Sequence, residues 1–164
     1  QCSSALRVTI SYNHEKRSLS VNPRNFSTLM NNPIIRLNPP TLPNAAESGY
    51  SQITIMEPGR LAFISGQVAR RPNGEPVPEN LVEQAQIVAE NTKAALAAID
   101  ATPQDIVMAR IFMVELTPER LEEMIPHILA AFDGMQPSLT GVGVTSLAAP
   151  DLQLEMELIV RVPN

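Results

Sequence analysis

Two glutamates, Glu155 and Glu157, stand two residues apart in the segment LQLEMELIVRV near the end of the chain. If that segment is a strand, alternation puts both carboxylates on one face. Paired carboxylates suit general acid–base work, and a small polar substrate held beside them would call for a cation. The segment FDGMQPSLTGVGV (Phe132 to Val144) just before them supplies none. Arg110 and Arg161 are the strand-borne arginines that could meet these acids, and Arg70 and Arg71 lie in a loop. Glu155 has two readings: it handles a reacting water, or it pairs with Arg110 or Arg161 so that its burial is tolerated. Glu157 reads as a structural or inter-subunit carboxylate. Arg110 reads as a ligand anchor or as half of an inter-strand ion pair. Ser65 has neither a His nor an Asp partner in its sequence context, which argues against a nucleophilic role.

Composition removes other chemistries. The single cysteine, Cys2, excludes a disulfide framework or a Cys-based zinc site within one chain. His14 and His127 lie far apart and match no metal-ligand spacing. A formal net charge of −5 speaks against nucleic acid or an anionic membrane as the main partner. There is no Gly-rich phosphate loop and no G-x-S-x-G, and the apolar runs fall far short of a membrane span. No metal or cofactor is expected, and a cytoplasmic location is.

The elements that must position these residues follow from pattern. The 164 residues, 44% hydrophobic and 18% charged, suit one globular domain. Residues 1–45 read as an N-terminal extension and 46–164 as the domain. Within the extension, residues 1–29 are Ser- and Asn-rich, with Arg7, Lys16, Arg17 and Arg24 against Glu15 alone. They read as upstream or non-native sequence, as a disordered tail, or as an organelle-targeting segment, and Met30 looks like a natural start. Pro33, Pro39, Pro40 and Pro43 mark an extended lead-in.

YSQITIM and RLAFISG, joined at Glu57-Pro58-Gly59, predict a hairpin. Asn80 caps a first helix, with Glu83 placed for a capping box and Leu81, Ala85, Val88, Ala95, Leu96 and Ile99 on one face. DIVMARIFMVEL is a strand. Thr117 and Pro118 open a second helix, whose apolar stripe is Leu121, Met124, Ile125, Ile128, Leu129 and Phe132, with Pro126 inside it and Gly134 closing it. His127 falls on that helix's polar side. SLTGVGVTSL and LQLEMELIVRV are the last strands. The order is ββαβαββ, an α+β fold with a mixed sheet and both helices on one face. The third strand is apolar in both registers except for Arg110, so its second face also needs a cover, supplied by another copy of the chain.

GYSQ (Gly49 to Gln52), FISGQV (Phe63 to Val68), EQAQIVAENTKAAL (Glu83 to Leu96), DIVMARIFMVEL and LEMELIVRV together resemble the RidA/YjgF family over about Gly49 to Val162. The resemblance implies a chorismate-mutase-like fold and a homotrimer with a central barrel. It also implies small-molecule sites in the clefts between subunits, and cofactor-free hydrolysis of reactive imines and enamines. In that scheme an arginine grips the substrate carboxylate and a glutamate orients or activates water. The glutamate falls on Glu155, the aromatic on Tyr50, and the "SG" pair on Ser65 and Gly66. The family's P-A-R-S/T motif reads Pro137-Ser138-Leu139-Thr140 here, so Leu139 stands where the arginine should be. The usual proline before Tyr50 is absent, and Ile125 stands near the place of an asparagine often found in the second helix.

The implied function is a RidA-like hydrolase or deaminase on an imine, enamine or related small nitrogen metabolite. Its substrate either lacks the usual carboxylate grip or is gripped by Arg110. Gly141 and Gly143 leave room for a larger ligand or for close backbone contact between subunits. The alternative is a non-catalytic trimer that binds a small metabolite or a protein in the same clefts. Nuclease activity, sometimes attributed to the family, fits poorly with the acidic charge and the lack of a basic groove.

Overall fold

The computed structural model describes residues 6–12, 15–21 and 33–163. Cys2, His14, Arg24 and Met30 lie outside the described residues. Strands β1 (Leu6–Tyr12) and β2 (Glu15–Val21) pair antiparallel, Leu6 opposite Val21 and Tyr12 opposite Glu15. The chain forms two compact units, residues 1–35 and 36–164.

After the short strand β3 (Ile34–Leu37) and a 3-10 turn at Ala45–Ser48, the order is β4 (Ile53–Met56), β5 (Leu61–Gln67), α1 (Leu81–Ala97), β6 (Ile106–Val114), α2 (Pro118–Leu129), β7 (Ser138–Val144) and β8 (Leu154–Arg161). This is the expected ββαβαββ series. The main sheet has the order β5-β8-β6-β7. β8 runs antiparallel to both neighbours, β5 and β6, while β6 and β7 are parallel across the α2 crossover. The sheet is therefore mixed. No helix among the described residues is long and apolar enough to cross a membrane.

Period-2 alternation decides the layering. Leu154, Met156, Leu158 and Val160 of β8 are buried, and their neighbours Ala109, Ile111 and Met113 on β6 join them under the helices. From the helices come Ala85, Val88, Leu96, Met124 and Ile128, with Phe132 just after α2. The other face is uncovered: Phe63 is 75% exposed and Leu61 41%. The doubly apolar character of β6 thus has a cover on one side only within the chain, as its sequence implies.

The helix starts are as expected. The Asn80 side chain accepts from the Glu83 N–H at 2.9 Å, and Thr117 accepts from the Arg120 N–H at 3.3 Å, with Pro118 at the first helical position. α2 passes through Pro126 and ends at Leu129, earlier than Gly134 suggests. A 3-10 turn, Ala130–Phe132, intervenes, and Asp133 and Gly134 both take positive φ.

The predicted hairpin between β4 and β5 does not form. β5 pairs with β8, and β4 lies outside that sheet, held at its far end by polar clasps. The Thr54 and Ser138 hydroxyls are 2.7 Å apart, and the Ser138 N–H donates to Thr54 Oγ1 at 3.1 Å. Buried Ser51 donates from Oγ to the Gln136 carbonyl at 2.7 Å and from its N–H to the Pro137 carbonyl at 3.0 Å. These bonds lie some 85 residues apart in sequence, beyond what local alternation can signal.

Candidate functional site

The open sheet face carries a concavity of about 470 Å³, lined by Phe63, Ser65, Met108, Arg110, Glu157 and Ile159 among others. Arg110 on β6 is in register with Glu157 on β8, and its Nη1 donates to Glu157 Oε1 at 2.7 Å. Both side chains remain partly exposed, 46% and 37%, so this pair is screened by solvent. The inter-strand reading of Arg110 and the structural reading of Glu157 describe the same contact. Neither Arg70 nor Arg71 reaches this pair: Arg70 meets Asp151 at 3.6 Å, and Arg71 meets Glu75 and Glu90 at 3.8 and 3.9 Å.

Glu155 sits two residues from Glu157 on the same face, opposite Phe112. The β5–β8 pairing shifts register between Ile64 and Gln67, so Ser65 and Gly66 form an irregularity in the edge strand. A Cβ built on Gly66 would run into the Glu155 side chain, meeting its Oε1, Cδ and Cγ atoms. Only glycine therefore lets the carboxylate lie against the β5 backbone. Among the described residues Glu155 makes no hydrogen bond and no ion pair, so its oxygens are available as acceptors. That arrangement can hold a water or accept an N–H from a ligand. Ser65 lines the concavity, and its carbonyl accepts from Gln67 Nε2 at 2.9 Å.

One helix positions both partners of that contact. Gln84 of α1 is 0% exposed. Its Nε2 donates to the Pro78 and Asp151 carbonyls, each at 2.8 Å, and its Oε1 accepts from the Gln153 N–H at 2.9 Å. The chain entering β8 is thereby fixed just before Glu155. Two turns along α1, Asn91 Nδ2 donates to the Val68 and Arg70 carbonyls at 2.9 Å, which fixes the chain leaving β5 just after Gly66. These are the Q and N of the EQAQIVAEN stretch. The letters are visible in the sequence, but their bonds are not.

The remaining expected site residues lie elsewhere. Tyr50, Leu139 and Gly141 line a second groove of about 450 Å³ with Ser48, Leu121, Glu122 and Ile125. It runs between α2 and the β7 edge. Leu139 is in register with Ala109 and packs against the helix-side core, and Gly141 is in register with Ile111. Both belong to the face opposite Glu155, with β6 between β7 and β8. The chain thus brings together Glu155, Gly66 and Ser65, with Arg110 further along the same face. It separately brings together Tyr50, Leu139, Gly141 and Ile125. Tyr50 is held there by Gly49, whose φ of +80° turns the chain out of the 3-10 helix, in a place where a Cβ would press on Leu129. Leu121, Glu122 and Ser48 are lining residues that sequence reading missed. Leu121 was assigned to the helix's core stripe, and nothing in a single sequence shows which flank of a stripe is left uncovered.

Comparison with known proteins agrees with this architecture. Residues 41–162 match the family model described as Endoribonuclease L-PSP. The RutC family protein YjgH of Escherichia coli is 35% identical over 121 residues, 73% of this chain and 87% of that protein. The crystal structure of YyfB of Yersinia pestis, described as a conserved Rid family protein of unknown function, superposes with a TM-score of 0.74 at 34% identity, covering 79% of this chain and 98% of that one. E. coli TdcF, whose name marks it as a candidate reactive intermediate deaminase, has a structure with bound serine that superposes at a TM-score of 0.55 and 26% identity, covering 68% and 87% of the two chains. With a family match over most of its length, a shared ββαβαββ architecture and relatives named for the same group, this chain belongs to the RidA/YjgF family.

Proposed function

We propose that this protein hydrolyses a reactive imine, enamine or related small nitrogen metabolite, with Glu155 positioning the attacking water. The observation that carries this reading is the unpaired Glu155 carboxylate laid against Gly66 on an open sheet face. A carboxylate without a cationic partner can accept a proton from water as its oxygen adds to the imine carbon. The proton then passes to the nitrogen, the carbinolamine collapses, and ammonia leaves a carbonyl product. No electron acceptor is required, since water addition and ammonia loss leave the oxidation level unchanged.

The functional unit in this reading is a homotrimer whose open faces meet. Support comes from the apolar residues on that face, and from the placement of Glu155 and of the Tyr50–Leu139 groove on opposite faces of one chain. A second copy would bring such surfaces to one cleft. The nuclease activity suggested by the family model's description finds no basic groove among the described residues, and the net charge of −5 opposes a polyanionic substrate. The test follows loss of an imine generated in situ, comparing the full chain with its Glu155→Gln variant. Accelerated loss that disappears in the variant supports hydrolysis. Saturable ligand binding that survives Glu155→Gln, with no turnover by either protein, supports the non-catalytic alternative instead.

A further inference from the structure

We infer that the groove between α2 and β7 selects a ligand with an amine-type nitrogen and a small apolar body, and rejects carboxylates. This deepens the proposed function, because it names the substrate class of that site. The lining is mostly hydrocarbon: Leu121 and Ile125 from α2 and Leu139 from β7, with the Tyr50 ring. Leu121 is 38% exposed, as befits a wall rather than core. Gly141 leaves space in the groove, since a Cβ there would meet nothing within 4 Å.

Among the described lining residues, Glu122 is the one charged side chain and none is basic. A carboxylate entering the groove would lose hydration, find no cation, and face a like charge. An ammonium or iminium group would face an opposite charge and an aromatic wall, both of which favour a cation. An acidic acceptor with no basic side chain beside it among the described lining residues makes a place for N–H groups.

Arg110 does not alter this balance within the chain. It lies on the opposite face of the sheet, engaged with Glu157. Within one chain, then, the groove favours a substrate with no carboxylate to grip over one held by Arg110.

The test uses the full chain and two probes of matched shape, 3-methylbutylamine and 4-methylpentanoate, titrated calorimetrically near neutral pH. The expected result is saturable binding of the amine, about tenfold tighter than the carboxylate, the ratio set by exchanging attraction for repulsion at a solvent-exposed acid. Glu122→Lys should reverse the order. Gly141→Val, which fills the groove with a residue at home in a strand, should remove binding of both. Equal or tighter binding of 4-methylpentanoate by the wild type overturns the inference. So does the absence of saturable amine binding, or an amine preference unmoved by both substitutions. Imine turnover by wild type and Glu155→Gln is read in parallel. Turnover with carboxylate preference sinks only the groove assignment, and amine preference without turnover sinks only the hydrolase reading.

Discussion

Replacing Gln84 by methionine should destabilise the domain by about 3 kcal/mol. The side chain is fully buried and makes hydrogen bonds of 2.8, 2.8 and 2.9 Å to Pro78, Asp151 and Gln153. Each such bond contributes about 1 kcal/mol net, and methionine restores none of them. Because methionine keeps the length and much of the volume, little cavity cost is added. The three backbone groups left behind are only part-buried, so water can reach some of them, which keeps the loss near the simple sum. Urea unfolding at fixed protein concentration measures it, as a lower midpoint with an unchanged slope. Asn91→Leu, which removes two bonds in a more exposed place, should cost about 1–2 kcal/mol by the same measurement. A loss below about 1 kcal/mol for Gln84→Met, with the slope unchanged, would refute the view that α1 clamps the two site-bearing loops.

Other perturbations test other parts of the description. Gly66→Ala forces the Glu155 side chain away from β5, so imine turnover should fall at least tenfold while the fold, followed by circular dichroism, persists; undiminished turnover would separate Glu155 from that glycine. Phe63→Lys places a charge at the most exposed apolar position of the open face, and light scattering should show dissociation of the proposed trimer to monomers. Glu119, at the start of α2, has its carboxyl held below the usual range, first by its own backbone N–H and then by the Thr117 hydroxyl. Its folded pKa lies below its unfolded one, so the stability it gives is present above the unfolded value and fades as pH falls through the folded one. Glu119→Gln should therefore lower Tm at neutral pH, flatten the acid side of a Tm–pH profile below the ordinary glutamate range, and converge on the wild type at low pH.

The elements were legible where periodicity was strong. β6 and β8 read as strands from branched residues and alternation, and Asn80 and Thr117 marked the helix starts through their capping chemistry. The β4–β5 hairpin was misread because two adjacent strand-like runs and a Pro-Gly turn look the same whether or not they pair. Ser51 and Thr54 decided the outcome by bonding to Gln136, Pro137 and Ser138, groups remote in the chain. Of the candidate site, the motif letters Ser65, Gly66 and Glu155 could be found, and the structure lays Glu155 against Gly66. The pairing of Arg110 with Glu157 was visible only as one option among several, since register across a sheet is not written in either strand alone. Glu122 was invisible as a site residue because an exposed acid on a helix is ordinarily just solvated surface.

The clasp residues of α1 and the lining of the α2–β7 groove share no member. Gln84 and Asn91 organise the loops around Glu155, while Leu121, Glu122, Ile125, Leu139 and Gly141 belong to surfaces the clasp never touches. Variation can therefore be concentrated at Leu121, Glu122 and Gly141 without dismantling the scaffold, whereas Ile125 and Leu139 also pack against the core. A combinatorial library built there would explore ligand range on a constant frame, with each clone's solubility reporting on the frame and its binding on the groove. In such a protein, a change of diet need not be a change of skeleton.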